Sequence, residues 1–382
     1  MRLEEVCKVF TDGDWIESKD QSKEGIRLVQ TGNIGEGKYL EKGDRAKYIS
    51  EETFGNLKCT EVFPGDILVS RLPEPVGRAC IIPPKSERMI TAVDCTICRP
   101  DESVVSKEYL CYFMQSEAYY TRLLNNVTGT TRKRISRKNL GNVELTIPDR
   151  STQAAVVKVL DILSRIIDYR KDELLKLDQL IKARFVELFD LSKCDKVPLG
   201  ECTDFVDYRG HTPELSDEGT IRMINAKSVG KGFFKYVDEY VTEETYNNWM
   251  HRGFGYPGDI LFVTEGHTFG NVCLIPEELS KFALGQRVIT IKGHEEIKNA
   301  FLCSYMQTDM FWKDINTYKT GGTAQGIRSK DLVKVCVPIP SIVQQEEFMS
   351  FVKQVDKSKV VVQKALDKAH LLFDSLMQEY YG

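Results

Sequence analysis

Phe-Pro-Gly-Asp-Ile-Leu-Val-Ser at 63–70 returns as Tyr-Pro-Gly-Asp-Ile-Leu-Phe-Val at 256–263, an offset of 193 residues. Each phrase is a Pro-Gly-Asp turn running into a short apolar strand. Working outward, GRACIIP (77–83) returns as GNVCLIP (270–276), and YLCYFMQS (109–116) as FLCSYMQT (301–308). VTGTTRKRIS (127–136) matches KTGGTAQGIR (319–328), and TIPDRSTQ (146–153) matches PIPSIVQQ (338–345). Upstream, IRLVQTGNI (26–34) matches IRMINAKSV (221–229). Six collinear blocks at a nearly constant offset make the 382-residue chain a tandem duplication of a unit of about 192 residues.

Each unit has two parts. Residues 1–148 and 197–340 are rich in Gly, Pro and short apolar runs, which predict short strands with loops and one helix near YLCYFMQS. Residues 149–196 and 341–382 predict long helices, with Ser341 and Gln344 as a capping box. The helices carry a heptad. Leu160, Ile167, Leu174, Ile181 and Leu188 are spaced by seven; on the second helix Val352, Leu366 and Phe373 fall on one seven-residue series and Val355, Val362 and Leu376 on its companion. A helix near 38 residues is about 57 Å long at ~1.5 Å per residue, longer than one lobe. The first helix therefore leads from lobe one to lobe two, and the second finds its partner by running back. The expected fold is α+β: two mixed α/β lobes joined by two long helices that form an antiparallel coiled coil with pseudo-two-fold symmetry.

Composition narrows the function. Fifty-two basic and 56 acidic residues give a net charge of −4, which excludes a histone-like binder. Residues 1–150 hold 23 basic and 23 acidic residues, and residues 197–340 hold 15 and 19. Apolar runs are too short for a membrane span, the start has no secretory pattern, and eleven scattered cysteines fit buried thiols in a cytoplasmic chain. Catalytic patterns fail on inspection. Gly32 to Lys38 has P-loop spacing, but Tyr39 replaces the Ser or Thr that holds magnesium. Cys95-Thr-Ile-Cys98 has no second pair for zinc, and the histidines are not spaced as ligands.

Two similar lobes at a fixed separation suit a ligand with two sites, and duplex DNA is the common case. The candidate contacts begin with Thr128, Gly129 and Thr131, followed by Arg132, Lys133, Arg134, Arg137 and Lys138. Gly-Thr backbone approaches phosphates closely, and Arg or Lys neutralises them or reads guanine. The second copy offers Thr320, Gly321 and Thr323 with Arg328 and Lys330. Arg71 and Arg78 follow the Pro-Gly-Asp strand in copy one, and His267 occupies that loop in copy two. Tyr208-Arg209 and Trp15 sit in loops near the start of each lobe, where they either touch DNA or cap the core.

With these features in place, the chain resembles the DNA-specificity subunits of type I restriction–modification systems over essentially its whole length. The resemblance rests on the ordered pair of copies and on local phrases: Asp207 to Pro213 opening a lobe, both Pro-Gly-Asp-Ile-Leu turns, the Gly/Thr turn, and Ile-Pro before each helix with Gln153 or Gln345 inside it. Copy one departs at Asp12-Gly-Asp-Trp15, which points to a different subclass of lobe. The resemblance implies that residues 1–148 and 197–340 are target-recognition domains, each reading half of a bipartite site. It implies that the helices measure the spacer and dock two methyltransferase subunits, and that endonuclease/translocase subunits join them. This chain would then be non-catalytic and hold no cofactor, with S-adenosylmethionine, ATP and magnesium on the partners. The rival reading is a two-lobed coiled-coil scaffold that binds proteins rather than DNA.

Overall fold

The structure, a computed structural model, describes residues 1–129, 133–208, 212–319 and 325–382. It divides into two compact units, Met1–Lys171 with Lys364–Gly382, and Asp172–Gln363.

The first unit holds a four-stranded antiparallel sheet in the order Cys7–Asp12, Cys95–Pro100, Ile67–Ser70, Ala79–Ile81. The second holds the same sheet as Thr203–Asp207, Val288–Gly293, Ile260–Val263, Val272–Leu274. Ile67–Ser70 and Ile260–Val263 are buried along their whole length, so both read as continuous apolar runs rather than alternating ones. Each follows its Pro-Gly-Asp turn for a local reason. Gly65 and Gly258 take φ of 92° and 83°, where a side chain is disfavoured. Asp66 and Asp259 then accept from the backbone N–H three residues back, on Phe63 at 2.8 Å and Tyr256 at 2.9 Å.

A second sheet in each unit contains one parallel pair, Ile26–Val29 with Met89–Thr91 in the first and Ile221–Ile224 with Phe282–Leu284 in the second. The apolar run YLCYFMQS was expected to be one helix. Two are found: Lys107–Phe113 is followed by Glu117–Leu124, and Asn299–Tyr305 by Asp309–Ile315. Ser116 and Thr308 cap the second of each pair, accepting from Tyr119 N and Phe311 N, and their hydroxyls donate to the last carbonyl of the first, Phe113 O and Tyr305 O, both at 2.7 Å.

The long helices span Arg150–Leu188 and Ile342–Tyr381. On the first, Leu160 and Ile167 are buried and Leu174, Ile181 and Leu188 half-buried; on the second, Val355, Val362 and Leu366 are buried and Val352, Phe373 and Leu376 half-buried. Within the first unit Val156 and Leu160 share a core with Met377 and Tyr381. Within the second, Phe185 and Phe189 share one with Phe348. The start of one helix thus meets the end of the other, which is antiparallel packing. Lys359 falls on the seam and is met by Asp178 at 2.6 Å.

Each lobe is fastened to its helix by one buried glutamine. Gln153 accepts from Ser106 N at 2.9 Å and donates to Val104 O at 3.0 Å and Pro148 O at 2.9 Å. Gln345 accepts from Lys298 N at 2.8 Å and donates to Glu296 O and Pro340 O, both at 2.9 Å. Most cysteines are core: burial pushes the Cys80, Cys95 and Cys111 thiols up to about 12.

Candidate nucleic-acid interface

In each lobe three loops meet at the end of the four-stranded sheet, on one backbone plan. In the first, Arg71 N donates to Asp94 O at 2.9 Å, and Arg71 O accepts from Ile135 N at 3.3 Å. In the second, Thr264 N donates to Arg287 O and Thr264 O accepts from Ile327 N, both at 2.9 Å. The loop after the buried strand, the turn before the last sheet strand and the segment after the Gly/Thr turn are thereby stitched together twice. Loops pinned at their stems on a rigid sheet suit recognition.

In the first lobe Thr128 and Arg134 exchange two backbone bonds of 2.9 Å, and Gly129 has φ of 97°. Lys133 and Arg134 are exposed there, and Arg137 and Lys138 are exposed at the start of the helix that follows, Arg137–Gly141. Arg134 pairs with Asp94 at 3.0 Å, and Arg137 reaches Thr11 Oγ1 at 3.5 Å. This density of cations on a lobe that is neutral as a whole favours phosphate contact. In the second lobe His267, Arg328 and Lys330 are exposed. Arg328 is tied to Asp331 at 2.9 Å, which lowers the Asp331 carboxyl below its ordinary range. Ser329 bonds Asp207 across the same edge. Thr131 and Arg132, Thr320, Gly321 and Thr323, and Arg209 lie outside the described residues.

Two loop cations expected at the surface are instead buried. Arg78 is 8% exposed. Its guanidinium donates to four carbonyls: Ile34 at 2.7 Å, Thr31 at 2.8 Å, Leu72 at 2.9 Å and Pro75 at 3.0 Å. Arg71 is 4% exposed, donates to Val93 O and faces Asp12 at 3.4 Å; burial lowers its pKa. The reason is common to both: the loop carbonyls need donors, and the long side chains turn inward to supply them. Tyr208 is likewise a core cap, donating to Gly253 O at 2.6 Å and accepting from Arg252 N at 2.8 Å, whereas Trp15 is exposed. Residue reading missed Asp94 and Arg287. Both stand at one position of the repeat, 193 apart, with opposite charge, and lining up the two copies there would have flagged them.

Among the described residues no group of three or more His, Cys, Asp or Glu side chains is arranged to hold a metal, and no helix is long and apolar enough to cross a membrane.

Known proteins share this arrangement. Residues 1–179 and 202–368 match the family described as type I restriction modification DNA specificity domain. Among curated relatives, "Putative type I restriction enzyme specificity subunit S.HindORF215P" of Haemophilus influenzae is 22% identical over 66% of this chain and 66% of its own length. "Putative type I restriction enzyme MjaX specificity subunit" of Methanocaldococcus jannaschii is 21% identical over 96% of this chain and 90% of its own. The fold matches the crystal structure of a type I restriction-modification S subunit from M. genitalium, at TM-score 0.57 and 14% identity, over 100% of this chain and 95% of that one. It also matches a chain from a study of complex assembly and conformational transition of the type I R-M system, at TM-score 0.58 and 15% identity, over 99% and 96%. With a repeated lobe, a repeated loop edge and two matched segments, the chain belongs to the type I restriction modification DNA specificity family.

Proposed function

We propose that the two lobes read the two halves of one asymmetric, bipartite DNA site for a restriction–modification complex. The observation that carries this is the loop edge built twice on one backbone plan with different side chains. Equal frames with unequal tips are what two unequal half-sites require. Sequence choice is this chain's part. Methyl transfer, with S-adenosylmethionine, belongs to two modification subunits, and cleavage, with ATP and magnesium, to endonuclease/translocase subunits.

The helices set the unread spacer and dock the modification subunits. In support, they leave many large apolar side chains in water, among them Ile162, Tyr169, Leu175, Val186, Val343, Val361 and Leu371. Runs of exposed apolar surface on a helix mark an interaction face. Near-neutral lobes also fit a division of labour in which partners supply much of the phosphate-neutralising charge, so the chain alone binds DNA weakly and the assembled complex tightly.

The test is to map methylated adenines in DNA from cells expressing the system. Exchanging residues 1–148 for another member's lobe should alter one half-site only; a change in both refutes independent reading. Four residues inserted after Lys176 add about 6 Å of helix. The spacer should then grow by one or two base pairs with both half-sites kept, and an unchanged spacer refutes the ruler.

A further inference from the structure

We infer that Arg287, held by Glu265, is the side chain through which the second lobe selects a guanine. This rests on the half-site reading above and names the residue that performs it.

Arg287 is fixed at its backbone and open at its tip. Its carbonyl accepts both from Thr264 N at 2.9 Å and from Thr264 Oγ1 at 3.2 Å, which sets where the side chain leaves the turn. The side chain is 54% exposed, and its Nε donates to Glu265 Oε1 at 3.1 Å. That bond uses the side of the planar group. Among the described residues the two terminal nitrogens, Nη1 and Nη2, make no hydrogen bond, so the end of the fork is presented. Two parallel N–H donors match O6 and N7 of guanine in the major groove, and no other base offers two acceptors there. Glu265 is itself placed by the edge: it bridges Gly326, and Gly266 N donates to Gln325 O at 3.1 Å. A guanidinium held by a carboxylate through Nε loses fewer conformations when it docks, which is preorganisation.

The first lobe sharpens the point. At the equivalent position Asp94 replaces Arg287, and its partner is Arg134, with Nη2 rather than Nε engaged, at 3.0 Å. The charge at this one position is reversed, and its partner comes from a different segment, after the Gly/Thr turn in the first lobe and after the buried strand in the second. An acceptor there cannot select guanine as Arg287 does, so the lobes differ in the base they prefer at this step of the half-site.

The experiment uses the assembled complex of full-length chain and modification subunits, with binding selected from duplexes randomised over both half-sites. Wild-type complex must first select an asymmetric site; if it selects none, the half-site reading fails and this inference is not what failed. Given selection, Arg287→Gln and Arg287→Ala should each lose preference for guanine at one position of the second half-site, on the order of 10- to 100-fold. Every other position, including the whole first half-site, should stay as it was, which also shows that the lobe is folded. Glu265→Gln, which keeps the hydrogen-bonding shape without the charge, should retain the guanine. An Arg287→Gln complex with full guanine preference, or one weakened evenly across all sequences as a phosphate contact would be, overturns the assignment.

Discussion

Arg78 in the first lobe and Asn271 in the second stand at the same position of the repeat, and each holds the same carbonyl. Arg78 Nε donates to Ile34 O at 2.7 Å, and Asn271 Nδ2 to Val229 O at 3.0 Å. There the likeness stops. Arg78 spends its remaining donors on Thr31, Leu72 and Pro75, gathering two loops around one cation. The lesson is that the shared frame needs only one bond at this point. The rest of each loop is held by whatever side chain its own sequence provides. The glutamine joint is the opposite case: Gln153 and Gln345 make the same three bonds, because the lobe must leave its helix in the same direction both times.

That contrast can be broken by substitution. Arg78→Ala strips donors from four buried or half-buried carbonyls and should cost about 3–5 kcal/mol, against about 1–2 kcal/mol for Asn271→Ala. Amide exchange resolved by lobe measures both, and equal losses would remove the distinction. Gln153→Ala and Gln345→Ala should each cost about 2–4 kcal/mol, by leaving a donor and two acceptors unpaired. Here equality is the expectation, and a large difference would mean that the joints are not equivalent.

The Pro-Gly-Asp turns divide more finely. Asp66 meets Arg99 through two bonds of 2.7 and 2.8 Å, whereas Asp259 has Asn299 at 3.5 Å, and burial raises its carboxyl above the ordinary value. Asp66→Asn should therefore cost about 2 kcal/mol and Asp259→Asn under about 1 kcal/mol. The sign with pH follows. Folded chain keeps the Asp259 proton where unfolded chain has released it. This contribution is full below the ordinary carboxylate value of about 4 and is lost as pH rises from there to the raised value. Asp259→Asn should flatten stability over that window, and an unchanged profile would count against the buried carboxyl as its source. Smallest in free energy is the basic run. Replacing Arg132, Lys133 and Arg134 by Ala should reduce the salt dependence of DNA binding by the complex by up to about 0.9 per lost phosphate contact. A slope that does not move leaves these residues as a solvated loop.

What was legible in the sequence is what repeats locally. The heptads place Leu160, Val355 and Leu366 in the core because period and burial coincide along one helix. The Pro-Gly-Asp turns were legible because the glycine and aspartate act within three residues of themselves. Arg71 and Arg78 were not, since the carbonyls that draw them inward lie at Val93, Ile34 and Thr31, on other segments. The break at Ser116 and Thr308 had a signal, a capping residue before an acid, hidden by the apolar run around it. Which nitrogen of Arg287 meets Glu265 is set by how two loops are stitched, and no spacing encodes that.

The division of the chain into units has a consequence for its birth. The first unit needs Lys364–Gly382, whose Met377 and Tyr381 pack with Tyr109 and Phe113. The second is complete at Gln363. On the ribosome, then, the part made first is finished last. Lobe one waits with the aromatic bed for Tyr381 uncovered until Lys364–Gly382 are made, and a chain halted before them carries a finished second unit with an open first one, a ready mark for quality control to find.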